Sequence, residues 1–299
     1  MPTGDALADR LARLTTPAAE IPAIVAAAPT PEGDPDRWWA LERAWWRLTG
    51  GTSHDGKAAP AADGRGPWGA WPVPPAALGP GWEWFHVHLF AAAVPEVAAL
   101  HASWGIAPEV TTATVANIGR NVGLYRRMHG RPGLHAPWWL VLGVRGALVH
   151  VERLQFRRAR AQGTLPGAPF DEGEPVLDLH IPPTGPLTPD AVDRSLAGAR
   201  TLFGRVFPED DSEWAVCGSW LLDPQLRDYL PEDSNIVRFQ RRFRLDPDWS
   251  VPGDDSIIEF VFRRLRTPVD ALDPHTTLEH AVVDHIRTGH HWQLRRGWF

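Results

Sequence analysis

Cys217 is the only cysteine in 299 residues, which excludes an intramolecular disulfide and any cysteine-rich zinc site. Lysine is as scarce: Lys57 stands alone and arginine carries the remaining basic charge. Basic charge is not in excess either. Thirty Lys and Arg face 36 Asp and Glu, for a net charge of −6 and a pI near 6.1, which argues against a general electrostatic grip on nucleic acid or an anionic membrane. Arg241, Arg242 and Arg244, and again Arg263, Arg264 and Arg266, form local runs with no basic surroundings. They fit a solvated face or a small anionic pocket better than a DNA groove. Apolar stretches are broken by His, Pro or Arg before about eighteen residues, the length a spanning helix needs. The N-terminus, MPTGDALADRLARL, carries acidic residues and no apolar signal-peptide segment. The expected location is the cytoplasm, with no membrane or nucleic-acid partner.

Hydrophobic residues make up 43% of the chain and charged residues 22%, a normal globular balance. The length suits two associated units. Sixteen tryptophans are the unusual feature. The pairs Trp38/Trp39, Trp45/Trp46 and Trp138/Trp139, with Trp82 and Trp84, suit packing first and a wall for an apolar substrate second. Residues 5–48 read as helices from the spacing of Leu7, Leu11 and Leu14 and the apolar stripe through Trp38 and Trp45. Gly50–Gly81 reads as a long loop. A helix is expected over Trp82–Trp104, kinked or divided at Pro95, and another from a cap at Thr111 or Thr112 to about His129.

The pattern then changes. Trp138–Val144 and Ala147–Phe156 read as strands about a tight turn at Arg145-Gly146. Val176–Ile181 reads as a strand, and Thr188-Pro189-Asp190 as a helix start. Further strands are expected at Trp214–Leu222, Phe243–Leu245 and Ile257–Phe262. Helices are expected from Asp223-Pro224 through Tyr229, from Ser234 to Gln240, and over Thr276–Thr288. The boundary predicted between a helical half and a mixed α/β half is at 132/133.

Three segments carry a resemblance. WWLVLGVRGALVHVERLQF (Trp138–Phe156), LHIPPTGPLTPDAVDRSL (Leu179–Leu196) and CGSWLLDPQLRDYLPEDSNIVRFQRRF (Cys217–Phe243) resemble, in order, blocks of bacterial acyltransferase domain-containing proteins. Those proteins join an N-acyltransferase-like helical N-terminal domain to a GNAT-like C-terminal domain. The resemblance implies an α+β fold, with a helical N-terminal half (1–132) packed on a GNAT-like mixed α/β domain (133–299). It implies transfer of an acyl group from acyl-CoA to an amine or hydroxyl by direct transfer. It also implies that coenzyme A is held at Ile181, Thr184, Gly185 and Leu187, between the strand ending at His180 and the helix starting at Pro189. Trp220, Asn235 and Arg238 complete the implied binding set. A helix N-terminus suits a phosphate, because its first N–H groups lack acceptors. The usual Gln/Arg-x-x-Gly-x-Gly/Ala signature is absent here, prolines at 182, 183, 186 and 189 remove donors, and Asp190 brings negative charge.

Acyl transfer to an amine needs a base and a proton donor for the leaving thiolate. His180 at a strand end is the candidate base, with backbone capping as the structural alternative. The resemblance implies Tyr229 as the thiolate's acid, against a role as a half-buried packing aromatic. Cys217 and Ser219 raise a covalent acyl-enzyme, but no His or Asp partner stands nearby in sequence. Two rival classes remain. A non-catalytic acyl-CoA-binding or scaffolding module is favoured by the missing glycine signature. A metal enzyme is raised by His86/His88, His280/His285 and His290/His291, whose spacings chelate poorly on helices; no metal is expected.

Overall fold

The computed structural model describes residues 1–49, 79–163, 165–210 and 212–299. Residues 50–78 of the expected Gly50–Gly81 loop lie outside the described residues. The chain divides into two compact units, Met1–His150 and Val151–Phe299, later than the expected 132/133.

The first unit is helical. It contains α1 (Gly4–Arg13), α2 (Ile21–Ala26), α3 (Pro35–Thr49), a 3₁₀ turn (Trp82–Trp84), α4 (Phe85–Ser103), α5 (Pro108–Val115), α6 (Asn117–His129) and α7 (Pro137–Val144). Leu7, Leu11 and Leu14 are buried with Ile24, Leu41, Phe90, Val97 and Ile118 in one core, as helical spacing requires. Glu20 fixes this core to α6, its carboxylate accepting from Arg126 Nε at 2.6 Å and Nη2 at 2.8 Å. Gly119 permits a close backbone approach: a Cβ there would lie 2.3 Å from the Leu14 carbonyl oxygen.

Pro95 neither divides nor ends α4, which runs through it as one helix. A proline leaves the carbonyl four residues earlier without its helical donor, and Arg10 Nη1 of α1 donates to that oxygen, on Ala91, at 2.9 Å. The tertiary bond replaces the missing one. The segment Trp82–Ser103 is long and apolar enough to cross a membrane by length and composition, contrary to expectation, and 56% of that window is buried within the protein. Its buried His86, His88 and His101 suit a core helix. The helix expected from Thr111 or Thr112 is two helices, and it starts at Pro108 with Ala107 in the cap position. Thr112 instead donates its hydroxyl back to the Pro108 carbonyl. Trp84 is buried, whereas Trp39 and Trp138 are 59% and 65% exposed; packing does not account for every tryptophan.

Trp138–Val144, expected as a strand, lies in α7, with Pro137 in its first turn and Leu140, Val141 and Val144 buried. A short apolar run has no period by which to tell helix from strand. The hairpin lies further on, between β1 (Leu148–Val151) and β2 (Leu154–Arg160), and turns at Glu152-Arg153 with Glu152 at φ 56°.

The second unit continues with β3 (Pro175–His180), α8 (Pro189–Val206), β4 (Ala215–Ser219), α9 (Asn235–Gln240), β5 (Arg244–Pro252), α10 (Asp254–Phe262), α11 (Thr277–Arg287) and β6 (Gln293–Trp298). The six strands form one sheet in the order β1-β2-β3-β4-β6-β5, antiparallel except for the β3/β4 pair among the registered neighbours. One expectation fails here and one strand was not foreseen. Ile257–Phe262 is helical within α10, which Asp254 and Asp255 start with favourable negative charge. Gln293–Trp298 is a strand that no alternation announced. It inserts between β4 and β5, and its Trp298 packs edge-on against Phe170 and Trp214.

Candidate active site

β3 and β4 are in register for two residue pairs, Leu177↔Ala215 and Asp178↔Val216. Beyond these, both strands continue on their outer sides only. Leu179 and His180 pair with Phe156 and Gln155 of β2, and Cys217, Gly218 and Ser219 pair with Gly297, Arg296 and Arg295 of β6. Among the described residues the facing edges of these strand ends have no register partners. The β3/β4 ladder ends at Asp178 and Val216, and the wedge beyond it is bordered by the backbone N–H and C=O groups of both strand ends, which need partners.

His180 stands at the tip of β3, one wall of this wedge. Side chains two apart on a strand share a face, so His180 lies beside Asp178. Its Nε2 is 3.1 Å from Asp178 Oδ2, an ion-pair distance. Arg157 of β2, opposite Asp178 in register, donates Nε to the same oxygen at 2.7 Å. Burial alone would raise the Asp178 carboxyl; His180 and then Arg157 outweigh it and hold the carboxyl below the usual carboxylate range. The result is a largely buried carboxylate between two basic groups. Such a carboxylate opposes the charge an imidazole gains when it takes a proton.

Past His180 the chain runs through half-buried Ile181 and Thr184, exposed Gly185 and buried Leu187 into α8. Gly185 has φ +119°, a conformation that glycine adopts without strain. Thr188 occupies the cap position of α8, and its hydroxyl makes no cap bond to the first turn. Asp190, the acid that counts against a phosphate, is exposed. Asp193 pairs with Arg242 Nη1 at 2.5 Å, and Arg242 Nη2 reaches the Pro189 carbonyl at 3.4 Å. Arg242, from the run read as a solvated face or a small anionic pocket, is thus paired at this helix end.

The other implied residues fall on the same unit in different settings. Trp220 is 9% exposed, just past β4. Asn235 is the first residue of α9, capped by Ser234, whose Oγ accepts from Val237 N at 3.3 Å; Arg238 is exposed. Tyr229 belongs to a separate grouping. It follows a 3₁₀ turn (Pro224–Asp228) instead of lying within a helix, and its hydroxyl is hydrogen-bonded to His285 Nδ1 of α11 at 3.0 Å, beside the Trp292 ring. Cys217 is 2% exposed, and burial first, then the Asp178 charge, pushes its thiol up. A thiol held protonated is a poor nucleophile. Ser219 accepts the Leu221 N–H at 3.1 Å.

Among the described residues no group of three or more His, Cys, Asp or Glu is arranged to hold a metal ion. His88, on helix α4, bonds the Ile24 carbonyl through Nε2 at 2.9 Å, and burial lowers its pKa to about 4.

Three participants were missed: Asp178, Arg157 opposite it on β2, and Arg153. Asp178 sits two residues before His180, where strand alternation would have found it. Arg153, at the β1–β2 turn, reaches the loop after β3 across the sheet, and no local pattern signals that.

A parallel strand pair whose ladder ends early, followed by a loop and a helix N-terminus, is an arrangement that can receive a phosphate-bearing ligand. Family models agree: residues 5–146 match the N-acyltransferase N-terminal domain, and residues 148–299 match the GNAT-like C-terminal domain. The chain belongs to this family of acyltransferases. A solved acyltransferase in complex with decanoyl-CoA aligns at TM-score 0.88 and 40% identity, over 100% of this chain and 88% of that one. An acyltransferase in complex with CoA and 10C-teicoplanin aligns at 0.87 and 39%, with the same coverage. An acyltransferase mutant in complex with octanoyl-CoA aligns at 0.87 and 38% identity, again with the same coverage. No curated protein matches the chain. The protein is an acyl-CoA-dependent acyltransferase, and the reading as a non-catalytic module gives way to it.

Proposed function

We propose that the protein transfers an acyl group of about octanoyl to decanoyl length from coenzyme A to an amine on a glycopeptide acceptor, with His180 as the base. The observation that supports this most is the full-length likeness to acyltransferases solved with decanoyl-CoA and with teicoplanin. In this reading His180 takes the proton of the incoming amine as its nitrogen attacks the thioester carbonyl. Asp178, with Arg157 behind it, opposes the imidazolium charge. The new C–N bond forms, the C–S bond breaks, and the thiolate leaves with a proton from water or from Tyr229. Backbone N–H groups on the wedge walls polarise the carbonyl, and Ile181, Thr184, Gly185, Leu187 and Trp220 border the donor. Asn235 and Arg238, on α9, are proposed to complete the donor site. Reliance on coenzyme A and a single buried thiol favour a cytoplasmic location.

The test is to incubate the protein with a teicoplanin-type glycopeptide bearing a free amine and with acetyl-, octanoyl- or decanoyl-CoA, following thiol release and product mass. Each buried methylene is worth about 0.8 kcal/mol, so the longer donors should exceed acetyl-CoA in kcat/KM by about tenfold or more. Equal use of acetyl-CoA would remove the chain-length assignment. Absence of acylated glycopeptide with every donor would remove the acceptor.

A further inference from the structure

We infer that Arg153 is the positioning residue of the coenzyme's pyrophosphate site, ordering from outside a loop that lacks its own glycine signature. This rests on the reading that the coenzyme docks where β3 passes through residues 181–188 into α8.

In that loop Pro182, Pro183 and Pro186 have no N–H, but their carbonyl oxygens remain and need donors. Arg153 supplies donors to the carbonyls of Pro182 and Pro186. Its Nη1 donates to the Pro182 carbonyl at 2.8 Å and lies 3.5 Å from Thr184 Oγ1, and its Nε donates to the carbonyls of Gly185 at 3.0 Å and Pro186 at 3.2 Å. One guanidinium gathers three carbonyls from a short loop, which the planar fork of arginine allows and a lysine ammonium does not reproduce. The arginine is itself anchored to the helix it serves. Its backbone N–H donates to Ser195 Oγ at 2.9 Å, and that buried hydroxyl donates to the Ala191 carbonyl at 2.8 Å.

The consequence follows from the trans peptide, whose C=O and N–H point in opposite directions. With the Pro186 carbonyl turned onto Arg153, the Leu187 N–H is turned away from it. The Thr188 hydroxyl leaves the first turn of α8 uncapped. Arg153 therefore fixes which way the few remaining donors face and adds a positive charge behind them. In most loops of this role glycines let the backbone wrap the anion; here a side chain from a neighbouring hairpin holds a stiff, proline-rich loop in shape.

The experiment compares decanoyl-CoA with decanoyl-pantetheine, which has the same thioester and no pyrophosphate, on wild type, Arg153→Gln and Arg153→Lys. Wild type should prefer the CoA thioester in kcat/KM. Arg153→Gln should reduce that preference about tenfold, chiefly through KM, the size expected for losing about one charge-assisted hydrogen bond. Arg153→Lys should fall between the two. A variant that slows both donors in equal proportion, keeping the wild-type preference, overturns the inference and leaves Arg153 as ordinary packing. If Arg153→Gln does not fold, the Arg153→Lys ratio decides by the same criterion. A wild type with no preference for the CoA thioester removes the docking reading itself, and the inference with it.

Discussion

Asp178 Oδ2 lies between His180 Nε2 at 3.1 Å and Arg157 Nε at 2.7 Å, so one carboxylate oxygen joins the proposed base to the neighbouring strand. With His180 as the base, His180→Ala lowers kcat by about 10²- to 10⁴-fold, the usual worth of a positioned acid or base, with little change in acyl-CoA binding. Asp178→Asn lowers kcat less, because the imidazole stays in place without its opposing charge. Stopped-flow or thiol-release kinetics, with calorimetric binding of decanoyl-CoA to each variant, check both.

The same carboxylate gives a stability dependence on pH. An unfolded aspartate titrates near 3.9, and Asp178 titrates lower in the native state. The native chain then holds fewer protons than the unfolded one, so the Asp178 contribution is complete above the unfolded value and is lost as pH falls through the native one. Thermal melts should show Asp178→Asn less stable than wild type at neutral pH, with the gap narrowing below about pH 4. A gap independent of pH would mean that packing, not charge, is what the substitution removes.

Tyr229 is held by His285, and that bond sets the expectation for Tyr229→Phe. Loss of one half-buried hydrogen bond costs about 1 kcal/mol of stability, read by urea unfolding, while kcat stays within a few-fold. A fall in kcat of a hundredfold at unchanged stability would instead establish Tyr229 as the acid that protonates the thiolate.

Cys217 is buried with a raised thiol pKa, so native protein should resist iodoacetamide and yield no acyl-enzyme by mass spectrometry after exposure to decanoyl-CoA without acceptor. Cys217→Ala should keep turnover and lose about 1 to 2 kcal/mol of stability through the small cavity left behind.

Arg10 compensates the break that Pro95 makes in α4. Arg10→Met, which keeps the apolar stem and removes the donor, should destabilise the protein by about 1 to 3 kcal/mol, the cost of an unsatisfied buried carbonyl. Adding Pro95→Ala restores the helical N–H to Ala91, and the double variant should recover most of the loss. A double-mutant cycle that is simply additive would refute the link.

What the sequence made legible follows from the range of the forces involved. His180 at a strand end, the start of α8 at Pro189, and the helices expected from Ser234 and Thr276 are set by neighbours within a few residues, and each lies where local chemistry puts it. α7 and α10 were taken for strands because Trp138–Val144 and Ile257–Phe262 are short, apolar and rich in β-branched and aromatic residues. Asp254 and Asp255, just ahead, carried the helical signal. β6 escaped because QLRRGW has arginines and a glycine where alternation should be, and its arginines are taken up in tertiary pairs such as Arg296 with Asp246. Arg153 escaped for a related reason: its partners, residues 182–186, are distant in sequence, and distance leaves no pattern.

The insertion of β6 between β4 and β5 also sets a sequence in time. Neither of those earlier strands neighbours the other, so both must wait for residues 293–298 before the sheet can join across them. Pairings between segments far apart in the chain form late, because closing the intervening loop comes first. β4 borders the proposed acyl-CoA site, and its outer edge is secured by this late arrival. The donor pocket is therefore expected to be among the last parts of the unit to acquire its shape, well after the strands that line it have been made.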